Sequence, residues 1–205
     1  METLPTYFNH WTVNGDAIPD RGIRMVQRNA RGGNRMVVTM RETTASQNRE
    51  GMTREEQLRD AMLFIRAEDF HATLAALLEQ YIHEQHQPSH ARARAILRAA
   101  NGEETLVVVA PEGGGYVVGD DGQQLKRVTP SGSRVEVAFA PGRDNAGHAV
   151  APSEVRRTVT LFAQAARMGD ILRVLLEQHA AHADTPLHRH ARALLQPNFE
   201  AMAVA

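Results

Sequence analysis

Ten histidines and 22 arginines are the side chains best suited to chemistry in this chain of 205 residues. His83 and His86 stand three apart and His90 follows; His179 and His182 repeat that spacing ahead of His188 and His190. On a helix, a spacing of three or four brings two imidazoles to one face, as a Zn²⁺ site requires. His83-Glu84-Gln85-His86 is one residue shorter than H-E-x-x-H, which rules out the metalloprotease helix. His83, His86 and His90 are therefore the metal candidates. The simpler reading is of solvated side chains at helix ends, where partial positive charge is favoured beside a helix C-terminus. That reading is preferred, and no metal or cofactor is expected.

A second constellation is basic. Arg24, Arg28, Arg31, Arg35 and Arg41 lie in a stretch without an acidic residue after Arg21, close to Trp11, Tyr7 and Phe8 in sequence. Guanidinium groups on neighbouring strands can grip phosphate or carboxylate in a bidentate way, and nearby aromatic rings could stack a base. The competing reading is that these arginines keep exposed strands soluble and block edge pairing. Gly113-Gly114-Gly115 could cradle a phosphate with backbone amides. No G-x-G-x-x-G or P-loop pattern accompanies it, so a hairpin turn is the better reading. No G-x-S-x-G elbow is present, and there is no cysteine, which excludes disulfides, thiolate metal sites and cysteine nucleophiles.

Composition bounds the class of molecule. Hydrophobic content of 42% with 23% charged residues fits an ordinary globular chain. The net charge is only −1, although Lys126 is the sole lysine among 23 basic residues. No apolar run is long enough for a membrane-spanning helix, and the first residues lack the basic start and apolar core of a signal peptide. The expectation is a soluble cytoplasmic protein with no membrane partner.

The elements that must hold these residues come in two sets. Strands are expected over Tyr7 to Val13, Ile23 to Gln27 and Arg35 to Met40, where Met36, Val38 and Met40 share one face. Thr53 and Glu56 form a capping box that opens a helix. A break is expected near Glu68-Asp69, and then a helix carrying Phe70, Leu74, Leu77, Leu78 and Tyr81. After Gln87-Pro88-Ser89, a third helix runs to Asn101-Gly102. The second set has strands over Thr105 to Ala110, Tyr116 to Gly119, Gln124 to Val128 and Arg134 to Phe139. Its helices are expected from Ser153 to about Met168, from Asp170 onward, and from Thr185-Pro186 to Leu195.

Sliding the chain by 98 positions lays Met62–Arg98 on Thr160–Gln196 without a gap, and 14 of the 37 pairs are identical, including Leu-Leu-Glu-Gln at 77–80 and 175–178. A tandem duplication of a unit of ordinary domain size follows. The expected fold is α+β: two repeats, residues 1–102 and 103–205, each a small antiparallel sheet followed by about three helices, related by a pseudo-twofold axis. His90 and His188 align, whereas His83 and His86 fall on Ala181 and Asp184.

The order Trp11-Thr12-Val13, then Ala61 to Leu74 across the helix junction, then Ala91-Arg92-Ala93-Arg94-Ala95-Ile96-Leu97, resembles a family of small phage and prophage proteins. Its members run W-x-V near the start, N-A-R-L-I-A-A-A-P-E-L-L-A-A-L at the junction and A-R-A-A-I-A-K-A at the end. The chain departs from that pattern: T-P-G-P-W is reduced to Pro5 and Trp11, the junction proline is Glu68 or Ala166, and the second copy has no Trp. The resemblance carries over no catalytic residue. It implies an accessory phage gene, a class rich in proteins that block host immunity. The expected function is that of a non-enzymatic, anti-CRISPR-like antagonist of anti-phage defence, acting by stoichiometric binding to a host protein or protein–nucleic acid complex. One alternative is a sponge that encloses a signalling nucleotide between the repeats. Another is a His-metal hydrolase acting on a nucleotide or nucleic acid. Nucleic-acid contact through the Arg cluster and homodimerisation are left open.

Overall fold

The computed structural model describes residues 11–14, 23–28, 34–40, 53–103, 115–129, 132–144, 147–182 and 185–196. Six strands, β1 (Trp11–Asn14), β2 (Ile23–Arg28), β3 (Asn34–Met40), β4 (Gly115–Val118), β5 (Gln124–Val128) and β6 (Arg134–Phe139), form one antiparallel sheet in the order β1-β2-β3-β6-β5-β4. The two meanders meet where Thr39 faces Phe139 and Met40 faces Ala138. The strands of both halves of the chain thus share one sheet. Alternation accounts for β2 and β3: Ile23, Met25, Met36, Val38 and Met40 are fully or almost fully buried on one face. The alternation is not complete, because Val26 and Val37, paired across the two strands on the other face, are also buried.

Five α-helices complete the α+β fold: α1 (Arg54–Phe64), α2 (Ala67–Gln80), α3 (Pro88–Ala100), α4 (Pro152–Gln178) and α5 (Pro186–Leu195). The starts of α1 and α4 lie 98 residues apart, as do those of α3 and α5 and of the short 3₁₀ turns Ile82–Glu84 and Ala180–His182. The Thr53 hydroxyl accepts from the Glu56 amide at 3.2 Å while the Glu56 carboxylate accepts from the Thr53 amide at 2.7 Å, the reciprocal cap expected from sequence. Thr185 caps α5 in the same manner, accepting from the His188 amide, with Pro186 in the first turn.

The helix breaks differ from the sequence reading. In the first half the interruption falls at Ile65-Arg66 rather than Glu68-Asp69. The Arg66 amide bonds to Leu63 three residues back, which tightens the turn. Its guanidinium then reaches the carbonyls of Leu194 and Gln196 at the end of α5, answering acceptors that a helix C-terminus leaves open. In the second half there is no break, and α4 is one helix of 27 residues. Gly169 does not end it; the Phe70 ring packs against this position, 3.7 Å from where a Cβ would stand, an ordinary contact distance. Nor is Ser153 the cap: Ala151 occupies that position and Pro152 starts the helix. The expected strand over Thr105 to Ala110 lies outside the described residues, and so does the start of the first strand before Trp11.

One continuous core runs through both halves. At its centre Phe64 and Phe162 stack with centroids 5.6 Å apart and planes 10° from parallel. Each ring also meets the first strand of the other half edge-on, Phe64 on Tyr116 of β4 at 4.9 Å and Phe162 on Trp11 of β1 at 5.2 Å. Burying a side chain of this size stabilises by about 1.5–3 kcal/mol before edge-to-face attraction is added. No helix of the described residues is long and apolar enough to cross a membrane.

Candidate functional site

Where α2 ends and α3 begins, the chain meets the end of α4 and the start of α5, and four ring residues come together. Tyr81 closes α2 and His179 closes α4, and their rings lie face to face at 3.7 Å with planes 1° apart. His90 sits in the first turn of α3 and His188 in the first turn of α5, both fully buried. Each first-turn histidine faces the ring at the end of the other half's helix. Tyr81 Oη lies 3.3 Å from His188 Nε2, and His179 Nε2 lies 3.1 Å from His90 Nε2.

The two pairs are finished differently. His188 Nδ1 lies 2.6 Å from Thr185 Oγ1, whose lone pair already accepts the His188 amide. Both His188 ring nitrogens are therefore engaged, Nδ1 with the threonine hydroxyl and Nε2 with the Tyr81 hydroxyl. On the other side, Gln87 replaces Thr185 and makes no side-chain cap. His90 Nδ1 is buried without a hydrogen-bond partner among the described residues. Glu84 joins this second pair: its Oε1 lies 3.7 Å from His179 Nδ1, and one oxygen accepts from Gln178 Nε2 at 3.3 Å. Gln178 in turn accepts from the Ser89 hydroxyl. Burial first, and then the neighbouring His179, hold the His90 imidazole below its usual range, so the ring is biased to the neutral form that can donate a lone pair.

Two clefts lie between α4 and the helices of the first half. One, of about 290 Å³, is lined by Arg59, Asp60, Leu63, Arg66 and Phe70 on one side and by Ala166, Gly169, Asp170 and Arg173 on the other. The second, of about 660 Å³, is lined by Arg157, Thr158 and Leu161 and by Glu68, His71 and Ala72, with Gln27, Asn101, Ser153 and Glu154 at its margins. Adding 98 to Arg59, Asp60 and Leu63 gives Arg157, Thr158 and Leu161; adding it to Glu68, His71 and Ala72 gives Ala166, Gly169 and Asp170. In the first cleft the Asp60 carboxylate accepts from the Tyr116 hydroxyl, and burial raises the pKa of both groups. In the second, His71 Nε2 donates to Asn101 Oδ1 at 3.0 Å, and burial lowers the His71 pKa.

Of the residues singled out from sequence, Trp11 lies in the core. It is 5% exposed and edge-on to Phe162 inside the core, so its face is not free to stack a base. Arg24 lies on the face of β2 opposite Ile23 and Met25 and is half-buried. Buried Val26 on that face interrupts an open basic surface. Arg28 and Arg35 are placed on β2 and β3 by their backbone only, and Tyr7, Arg31 and Arg41 lie outside the described residues. His83 and His86 are exposed while His90 is buried, and His83 Nε2 lies 3.6 Å from the Glu84 carboxylate. The partner that sequence reasoning passed over is His179, with Glu84 beside it. One signal pointed there: His90 and His188 are the only histidines retained at the 98-residue offset, which marks them as positions of the packed interior. Neither a protein-family model nor a curated protein nor a solved structure matches this chain.

Proposed function

We propose that the chain is a phage-encoded, non-enzymatic antagonist of bacterial anti-phage defence, acting by stoichiometric binding to a host protein or protein–nucleic acid complex. It is built from two tandem copies, residues 1–102 and 103–205, that face each other about a pseudo-twofold axis. The observation that supports this best is the pairing of positions 98 apart: Phe64 on Phe162, Tyr81 on His179, and Arg59, Asp60 and Leu63 answering Arg157, Thr158 and Leu161 in matching clefts. The apolar contacts agree between the halves while the cleft linings have diverged. Such divergence on a fixed frame suits recognition, in which specificity resides in side chains at a few surface positions. Arg24, with Arg28, Arg31, Arg35 and Arg41, supplies positive charge for an acidic or phosphate-bearing partner.

A second reading, a sponge for a signalling nucleotide, draws support from the larger cleft. It opens between helices of both halves and carries Arg157, Asn101 and Ser153, groups able to hold phosphate, base edge and ribose.

The test is expression in bacteria that carry an active defence system, followed by challenge with a sensitive phage. Restored plating, with one defence component recovered at fixed stoichiometry, is the expected result. A nucleotide released on heating the purified chain would select the sponge. The triple charge reversal Arg24→Glu, Arg28→Glu and Arg35→Glu should weaken capture by about tenfold or more, as reversing interfacial charge does. Unchanged plating in every background tried, with neither component nor nucleotide retained, would end the proposal.

A further inference from the structure

We infer that Glu84, His90 and His179 form a binding site for a divalent transition-metal ion of the zinc class, with His90 Nε2 and His179 Nε2 as imidazole ligands and the Glu84 carboxylate closing the site from its solvent side. The inference is independent of the antagonist reading and concerns a different part of the molecule from the clefts.

Four observations carry it. One ligand-capable atom from each of the three residues lies within 4.8 Å of those of the other two. The Nε2–Nε2 separation of 3.1 Å is close to the edge of a zinc tetrahedron, about 3.3 Å for bonds of about 2.0–2.1 Å, so the two rings need only slight spreading to admit an ion. Stacking on Tyr81 covers the face of His179 and leaves its in-plane lone pairs directed past the ring edge. Glu84 is half-buried, with 29% of its side chain exposed, and gives the ion both a carboxylate and a route from solvent.

The second argument is one of cost. His90 is fully buried, yet among the described residues its Nδ1 has no partner and its Nε2 meets only another histidine. An imidazole kept in such a place costs stability that an apolar side chain would not. The aligned His188 shows how a purely structural histidine is satisfied here, with Thr185 on one nitrogen and Tyr81 on the other. A cation shared by His90 and His179 would offset the cost, because metal binding free energy adds directly to folding free energy. Two imidazoles and a carboxylate suit Zn²⁺, Co²⁺ or Ni²⁺ over the oxygen-seeking Mg²⁺ and Ca²⁺.

The experiment uses the purified full chain stripped with a chelator. Titration with Co²⁺ should give the visible bands of a tetrahedral nitrogen–oxygen site saturating at one equivalent, and Zn²⁺ should displace them and raise the melting temperature. His90→Gln and His179→Gln should abolish the bands. Because either variant could unfold, His179→Tyr is the control: it keeps a ring on Tyr81 and copies the aligned residue, so it should melt cooperatively without binding Co²⁺. Glu84→Gln should weaken Zn²⁺ by roughly tenfold or more, the scale on which a carboxylate at a His-bound metal matters. His86→Ala should bind as the parent does. The inference is overturned by an absence of Co²⁺ bands, by bands that persist in folded His179→Tyr, or by loss of binding in His86→Ala.

Discussion

The corner made by Tyr81 and His188 and the corner made by His179 and His90 differ at the stacked ring, at the cap position and in the 3₁₀ turn, and those differences change what each can do. Tyrosine brings a hydroxyl that satisfies the histidine opposite, and Thr185 takes the remaining nitrogen, so the first corner is a closed polar network. Histidine in the aligned place offers a second lone pair instead, Gln87 leaves the remaining nitrogen alone, and Glu84 stands by. Helix ends, 3₁₀ turns and first-turn histidines occupy corresponding positions in both. Backbone geometry and chemical role are thus separable: one arrangement holds a hydrogen-bonded pair on one side and a set of donors suited to a cation on the other.

The comparison breaks most sharply at the centre. If the halves are equivalent, Phe64→Ala and Phe162→Ala should each cost about 3–5 kcal/mol, with the two values close to one another. Denaturant unfolding of both variants measures this. A large inequality would mean that the 98-residue correspondence is one of sequence without equivalent packing. The corners come next. Tyr81→Phe removes the hydroxyl opposite His188 and should cost about 1–2 kcal/mol, the scale for stripping a buried group of one partner. His179→Tyr brings a hydroxyl toward His90 and should change stability by less than about 1 kcal/mol in metal-free protein. A loss on His179→Tyr as large as that from a cavity in the core would show that the two corners are not interchangeable.

Much of the frame could be read from the residues alone, and the unread parts share a physical cause. Ile23 to Gln27 and Arg35 to Met40 show period-two alternation, and Thr53 with Glu56 carries its own cap, so local chemistry dictated those elements. The kink at Ile65-Arg66 was misplaced because it is tied to carbonyls at the end of α5, some 130 residues away. The helix break expected at Gly169 does not occur, because a glycine costs a helix only about 1 kcal/mol relative to alanine and the packing of buried Met168 and Ile171 on either side outweighs it. Trp11 looked like a base-stacking residue from its neighbours in sequence, yet its neighbour in space is Phe162. His90 was recognised as a candidate ligand but was grouped with His83 and His86 by spacing. Its true companion lies 89 residues on, beyond the reach of any helical period.

The clefts give the smallest effect and the finest comparison. His71 in the larger cleft corresponds to Gly169 in the smaller, so one side carries an imidazole where the other carries no side chain. Burial, with Arg157 nearby, lowers the His71 pKa against a smaller opposing effect of its hydrogen bond to Asn101. The folded state therefore releases its proton more readily than the unfolded chain. As pH falls through the ordinary histidine value of about 6.5, the unfolded chain takes the proton first and stability declines; the decline flattens once pH passes below the lowered folded value. Asp60 in the smaller cleft acts in the opposite sense and in a more acidic window. Burial raises its pKa, so its contribution is fully present below the ordinary carboxylate value and is lost as pH rises through the raised one. His71→Gln keeps an amide donor for Asn101 and removes the titration, so its unfolding midpoint should vary less with pH between neutrality and pH about 5 than the parent's. Parallel curves for parent and variant would show that His71 is solvated like an exposed imidazole, and that the larger cleft is as insensitive to protons at this position as the one bearing Gly169.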